Sequence, residues 1–333
     1  MKLGNSLPSS SLKEYFTEFN KVSILEHYRN VLNKSNLLKY SKKEIPVNKV
    51  EYLCKYSQEL LKKNKIELED YAALAYLKYR VYGFRKKVKV NNVVMDEAQD
   101  YSLFQFYVLK EILNTNMFTI LGDVAQGIHA YRGISDWNKV IEDVFKEEET
   151  SYKTLVQSYR TTIEVMDFAN QIIKNINNLD LALAKPVIRH GEKPEVRNYD
   201  KQSKLTDDLS TKIGEMKEEN YKSMALICKT PKECIKLKKK LEKKSKVEID
   251  IINDKDDTYE AGVVILPSYL AKGLEFDIVF IVNIDEKNEE SEMGLKLLYV
   301  AMTRTLHCLY VYQQNDSITV LDKIDNNFYN NIN

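Results

Sequence analysis

The stretch "VVMDEAQD", Val93 to Asp100, sets an apolar run directly against three acidic residues in five positions, Asp96, Glu97 and Asp100. A buried strand that opens on an Asp-Glu pair has the layout of a triphosphate-splitting site, with one carboxylate for a magnesium ion and the next for the attacking water. It equally has the layout of a strand running into a polar turn. The surrounding chain has to decide.

Around that stretch, "VKVNNVVMD" is a short β-branched run, "YSLFQFYVLKEILN" has the spacing of an amphipathic helix, and "MFTILGD" is a second apolar run. Strand, helix and strand at this length predict a βαβ unit with parallel strands. Both runs end in a carboxylate, Asp96 and Asp123. Open parallel sheets hold their ligands beyond the carboxyl ends of the strands, where these two acids fall. Upstream, "LEDYAALAYLKYRVYG" carries Leu68, Tyr71, Ala72, Ala75 and Tyr79 at helical spacing and stops at Gly83, suited to a C-terminal cap.

Downstream of a charged break, "FKEEETSYK", the alternation resumes. "TLVQSYR" leads into "TTIEVMDFANQII", where Thr161 and Glu164 have capping-box spacing. "SMALICKT" leads into "PKECIKLKKKLEK", opened by Thr230, Pro231 and Glu233. "VVILPSY", "FDIVFIVNI", "GLKLLYVAMTRT" and "HCLYVYQ" follow, while the end, "DNNFYNNIN", reads as an Asn-rich tract. The fold class is α/β with parallel sheets. Three segments result: residues 1–87, helical and part of the first lobe or its insertion; 88–150, the rest of that lobe; and 151–333, a second lobe.

Lys plus Arg (50) nearly balance Asp plus Glu (49), so a polyanion surface must come from local clustering rather than bulk charge. Cys54, Cys228, Cys234 and Cys308 form no C-x-x-C pair and read as reduced thiols. No stretch reaches the ~18 apolar residues of a membrane span, and the start, "MKLGNSLPSS", has no signal-peptide core. The expectation is a soluble cytoplasmic protein without a membrane partner.

Further candidates sit at strand ends and helix starts. In "TILGDVAQGIHAYRG", Gln126 follows Asp123 by three residues and could sense a γ-phosphate. In the same stretch, Tyr131 and Arg132 pair a stacking ring with a cation, as used on single-stranded nucleic acid. Arg160 in "QSYRTT" and Arg304 in "YVAMTRT" are guanidinium forks suited to a transferring phosphoryl group. In "SYLAKGLEFDIVFI", Lys272, Gly273 and Glu275 occupy a loop before a strand, with Gly273 allowing close backbone approach and Glu275 able to accept from a ribose hydroxyl. Taken singly, each also fits a polar loop or a surface salt bridge.

Taken in order, these motifs resemble the superfamily 1 helicases of the UvrD/Rep type over about residues 93–306. "VVMDEAQD" resembles their Walker B motif, "TILGDVAQGIHAYRG" the coupling motif, "LVQSYRTT" the second-lobe arginine motif, and "LPSYLAKGLEFD" with "LLYVAMTRT" the last two. Within that group, "DEAQDYSLFQ", "PSYLAKGLEFD" and "LEDYAALAYLK" look most like HelD, the RNA-polymerase-associated helicase of Gram-positive bacteria. Tyr269 and Tyr131 stand where repair-type members usually carry His and often Trp. The resemblance implies two RecA-like P-loop-NTPase lobes that ATP closes and hydrolysis releases. Asp96 would hold Mg2+ and Glu97 would activate water. Gln126, Arg160 and Arg304 would reach the γ-phosphate, Glu275 the ribose, and Tyr131 with Arg132 would couple the nucleotide to single-stranded DNA.

One part of the pattern is missing. The family's P-loop, G-x-x-x-x-G-K-S/T, cradles the phosphates, yet none of the ten glycines here is followed by lysine. The expectation is an incomplete first lobe lacking its phosphate cradle, a complete second lobe, and little or no ATPase in the chain alone. Three explanations stand: the C-terminal part of a longer helicase, a split motor completed by a separate polypeptide carrying the P-loop half, or a non-catalytic module binding RNA polymerase or DNA. A component of a repair or recombination helicase is disfavoured by Tyr269 and by the short span between Arg160 and "VVILPSY", which leaves no room for a large inserted subdomain.

Overall fold

The computed structural model describes residues 23–40, 45–83, 89–129, 132–176, 183–244, 247–254, 256, 261–283, 291–314 and 319–332. The chain forms two compact units, Met1–Gly122 with Arg132–Glu149 and Asp123–Tyr131 with Thr150–Asn333.

Among the described residues, the first unit has four helices before its sheet, α1 (Ile24–Val31), α2 (Lys34–Tyr40), α3 (Val47–Lys62) and α4 (Asp70–Tyr82). They close on Ile24, Tyr28, Leu32, Leu61 and Leu74, and the Tyr28 hydroxyl donates to Asp70 Oδ1 across 2.6 Å. α4 stops at Gly83, whose φ of +64° glycine adopts without the steric cost a side chain would bring there. Next come β1 (Val93–Met95), α5 (Leu103–Leu113) and β2 (Phe118–Ile120). Ser102 and Gln105 cap α5 reciprocally, and β1 pairs with β2 in parallel, Val93 opposite Phe118 and Met95 opposite Ile120. This is the βαβ unit that the apolar runs predict. Met95, Ala98, Phe106 and Val140 form its core, Val140 coming from the short helix α6 (Trp137–Val140). Among the described residues the sheet has two strands, and Val94 (70% exposed) and Met117 (64%) face outward.

The second unit opens with a small parallel pair, β3 (Gln157–Ser158) and β4 (Lys185–Pro186), around α7 (Ile163–Ile173). Then follow β5 (Glu195–Tyr199), α8 (Gln202–Glu218), β6 (Met224–Cys228), α9 (Pro231–Leu241), β7 (Ile249–Ile251), β8 (Val263–Pro267), β9 (Phe276–Asn283), α10 (Glu292–Met302), β10 (Thr305–Gln314) and β11 (Asn330–Ile332). The strands form one sheet in the order β11-β5-β10-β9-β6-β8-β7, every neighbour parallel.

Side chains alternate between the two faces of this sheet. Ala225, Ile227, Val279, Ile281, Leu309 and Val311 meet α7 and α10 on one side. Leu226, Cys228, Ile278, Phe280, Cys308 and Tyr310 meet α8 and α9 on the other. Burial on both faces is why the central strands read as unbroken apolar runs.

Some elements differ from the sequence reading. Thr162, not Thr161, caps α7, its hydroxyl accepting from the Val165 N–H across 3.4 Å. Glu164 does not close a capping box, because its carboxylate turns to the Gly191 N–H (2.8 Å) and His190 Nδ1 (2.9 Å). β5, α8 and β7 stand in a stretch assigned to no particular elements. The Asn-rich end supplies the edge strand β11, held to β5 by backbone pairing with all three side chains exposed. The Thr230–Glu233 capping box with Pro231 in the first turn of α9 is present as read.

Gly122 is required by space. A Cβ there would lie 2.6 Å from Gln99 Oε1, 2.8 Å from the Trp137 ring and 3.0 Å from the Gln99 backbone nitrogen. Gly214, inside α8, would meet nothing within 4 Å. Gly122→Ala is therefore expected to destabilise the protein by about 1–3 kcal/mol through overpacking, and Gly214→Ala to stabilise it by about 0.5–1 kcal/mol through helix propensity. Thermal denaturation followed by circular dichroism checks both signs.

Candidate functional site

In the first unit, Asp96 follows β1 directly and is exposed. Glu97, also exposed, adopts a left-handed backbone with φ +51° and ψ +35°, a conformation that costs a non-glycine residue on the order of 1 kcal/mol or more. Hydrogen bonds hold it there. The Glu97 N–H donates to Asp96 Oδ1 (2.8 Å), and Gln99 Nε2 donates to Glu97 Oε2 (2.6 Å). Gln99 is itself 1% exposed, and its carbonyl accepts from the Ile134 N–H across 3.0 Å. A buried amide thus aims the Glu97 carboxylate outward. Sequence reading passed over Gln99; the only signal was its place two residues after Glu97.

Among the described residues, no group of three or more His, Cys, Asp or Glu side chains is placed to hold a metal. Magnesium does not require one, since it is commonly bound by one or two carboxylates with waters and substrate phosphates completing the shell. An exposed hard-oxygen ligand at a strand's carboxyl end, as Asp96 provides, fits that mode.

In the second unit, Asp123 Oδ1 accepts from the Ala125 N–H (2.9 Å) and Oδ2 from Gln126 Nε2 (2.8 Å). With its amide nitrogen so held, Gln126 presents Oε1 to Arg304 Nη2 at 2.9 Å. Arg304 is 2% exposed, and its Nε donates to the Val300 carbonyl (3.0 Å) while Nη2 also reaches the Thr303 hydroxyl (3.2 Å). Burial, and after it the nearby Asp123 charge, push the Tyr299 hydroxyl well above the usual range. The segment after β2 therefore groups with the second unit.

Arg160 and Glu275 form an ion pair, Nε to Oε1 at 2.7 Å, with both side chains 45% exposed. Arg160 is braced from behind by the turn before β5. Arg189 Nη1 donates to the Arg160 carbonyl (3.4 Å), the Arg189 carbonyl accepts from Ile163 at the start of α7 (2.9 Å), and a Cβ on Gly191 would collide with Thr162 at 2.5 Å. Arg189 Nη2 also meets His307 Nδ1 at 2.7 Å, and burial and then the guanidinium hold that imidazole below its usual range. Gly273 has φ +79° in open space, so conformation rather than room calls for glycine.

The structure thus brings Gln126 to Arg304 and Arg160 to Glu275 in the second unit, while Asp96 and Glu97 stand in the first. Arg132, also in the first unit, lies 3.6 Å from Glu69. Tyr131 lies outside the described residues.

A βαβ unit in the first unit and a doubly covered parallel sheet in the second define a mixed α/β protein, consistent with RecA-like lobes. One model, of the UvrD/REP helicase N-terminal domain, matches residues 7–143, and two models of UvrD-like helicase C-terminal domains match 153–257 and 262–312. With matches running through both units, the chain belongs to the UvrD/Rep superfamily of helicases.

Relatives include a probable DNA helicase II homolog of Mycoplasma capricolum (28% identical, 50% of this chain, 23% of the relative). A probable DNA helicase of Mycoplasma pneumoniae is 25% identical over 67% of this chain and 43% of its own length. The ATP-dependent DNA helicase Rep of Buchnera aphidicola is 28% identical over 36% of this chain and 19% of its own. The chain spans less than half the length of these relatives. The solved C-terminal domain of a possible DNA helicase from Lactobacillus plantarum is 27% identical and covers 53% of this chain and 99% of its own, with a TM-score of 0.44. No described helix is long and apolar enough to cross a membrane.

Three carboxyls of the second unit set its response to acid. Burial raises each, but hydrogen bonds pull each below its usual range: for Glu164, those from His190 and the Gly191 N–H; for Asp208, those from the Tyr312 and Tyr199 hydroxyls and the Arg197 charge; for Asp277, the Ser223 and Lys222 N–H groups. Such carboxyls stabilise the fold above their unfolded values, 4.5 for Glu and 3.8 for Asp, and lose that contribution as pH falls through the lower folded values. The expected result is a Tm that drops steeply below about pH 4, with a shallower drop in Asp277→Asn, measured by melting curves across the acid range.

Proposed function

We propose that this chain is the C-terminal part of an ATP-dependent superfamily 1 DNA helicase or translocase. The observation that carries the reading is the buried Arg304 fork, held toward Gln126 by Val300 and Thr303. A guanidinium fixed before any substrate arrives stabilises developing phosphoryl charge without reorganising.

The residues take the following roles. Asp96 holds Mg2+, which when bound neutralises charge on the phosphate oxygens. The Glu97 carboxylate, oriented by Gln99, accepts the proton of the attacking water. Gln126, Arg160 and Arg304 receive the γ-phosphate, Glu275 accepts from the ribose, and Gly273 lets the backbone approach. The Arg160–Glu275 pair is half exposed, and such pairs are worth about 1 kcal/mol or less, so it can open toward ligand at little cost. Tyr131 and Arg132 couple the nucleotide to single-stranded DNA.

The absent P-loop and the chain's limited share of its relatives' length support a motor whose phosphate cradle lies on another stretch of polypeptide, in the same protein or in a separate one. A HelD-like role in freeing RNA polymerase draws support from Tyr269 and from the short span between Arg160 and β8. Co-purification with RNA polymerase core tests that finer reading.

The chain alone is expected to turn over ATP slowly or not at all. Magnesium-dependent turnover should appear on adding a polypeptide carrying the P-loop half, and Glu97→Gln should lower it by about 10²-fold or more. Robust hydrolysis by the chain alone, or full activity in the Glu97 variant, would overturn this assignment of roles.

A further inference from the structure

The chain is almost neutral, so a concentration of one charge is informative. One lies on α9. Its inner face, Glu233, Cys234, Leu237 and Leu241, is buried in the second unit. Its outer face carries Lys232, Lys236, Lys239 and Lys243, all exposed. At 100° per residue these four fall within an arc of about 60° and extend about 16 Å along the axis. Glu242 keeps helical backbone angles, φ −56° and ψ −27°, so the stripe continues past the helix end to Lys243.

The flanking lysines have local partners: Lys238 pairs with Glu242 at 3.8 Å, Lys240 meets Gln202, and Lys244 meets Asp207. Lys232, Lys239 and Lys243 make no ion pair among the described residues. Helix stability explains only part of the stripe, since Lys239 in the last turn complements the helix dipole. Like charges three and four residues apart repel, and Lys232, in the first turn, sits at the positive end of the helix dipole. The arrangement favours a ligand carrying repeated negative charge.

The geometry points to the phosphate backbone of duplex DNA as the occupant: we propose that α9 is a docking surface for a nucleic-acid duplex. A membrane does not fit, because the apolar face of α9 is already buried in the core. A single strand is disfavoured because such sites add aromatic stacking platforms, and the α9 outer face has no aromatic, only Ile235 (49% exposed) beside the lysines. Backbone-only binding by lysines is the sequence-independent mode that positions a protein on a duplex. The choice of DNA rests on the helicase reading above; the surface itself rests on the stripe.

The test uses the full chain, a labelled 20-base-pair duplex, and one of its strands alone, with binding followed by fluorescence anisotropy from low to moderate KCl. One variant replaces Lys232, Lys236, Lys239 and Lys243 with Gln; a control replaces the exposed Lys153, Lys193, Lys204 and Lys217, and melting curves verify that both fold. The stripe variant should lose more than 10-fold in duplex affinity at low salt. Its slope of log K against log salt should shrink by up to about 3.6, roughly 0.9 for each of the four phosphates no longer neutralised, while the control changes little. Equal losses in both variants, an unchanged slope in the stripe variant, a loss confined to the single strand, or no duplex binding by the wild type would each overturn the proposal. The ATP-turnover mixing experiment is read separately, so a working motor with an inert stripe sinks this inference alone.

Discussion

A guanidinium buried to 2% exposure is the constraint on which the second unit's candidate site depends. A permanent charge can be withdrawn from water only where its donors are satisfied. Arg304 meets that demand with the Val300 carbonyl, the Thr303 hydroxyl and the Gln126 amide oxygen. Two of those acceptors come from the end of α10, so the turn into β10 is fixed by the same bonds that aim the guanidinium. The third comes from a segment that follows β2 in the chain and would otherwise count as part of the first unit.

The parallel sheet provides the frame for this turn. An all-parallel sheet must be covered on both faces, and here α7 with α10, and α8 with α9, do so. Each helix gives its apolar stripe to the core and leaves an outer face under no packing constraint. On α9 that face is lysine. Helix boundaries and the turns leading into β9 and β10 then carry the candidate site residues, Arg160 before α7, Glu275 before β9 and Arg304 before β10.

The first unit is built differently. The two strands that pair among its described residues would be marginal by themselves, and they are supported by a core in which Phe106 and Ala98 are fully buried. Gln99, Gly122 and Trp137 are packed so closely that no Cβ fits at position 122. The same Gln99 orients Glu97, so local packing and the orientation of a candidate catalytic carboxylate are one feature.

Much of this was legible in the linear sequence. The β1-α5-β2 unit, the Gly83 stop, the Thr230 capping box and the runs that became β6, β8, β9 and β10 followed from periodicity and capping chemistry, which are set by residues a few positions apart. The order of the motifs pointed to the helicase family for the same reason. The tertiary structure alone decided which polar side chains would meet. Gln126 and Arg304 are 178 positions apart, Glu164 left its expected capping box for Gly191, and β11 exists because β5 offers it an edge. Local chemistry writes the elements into the sequence, but a hydrogen bond across the fold depends on where those elements come to rest, and only packing settles that.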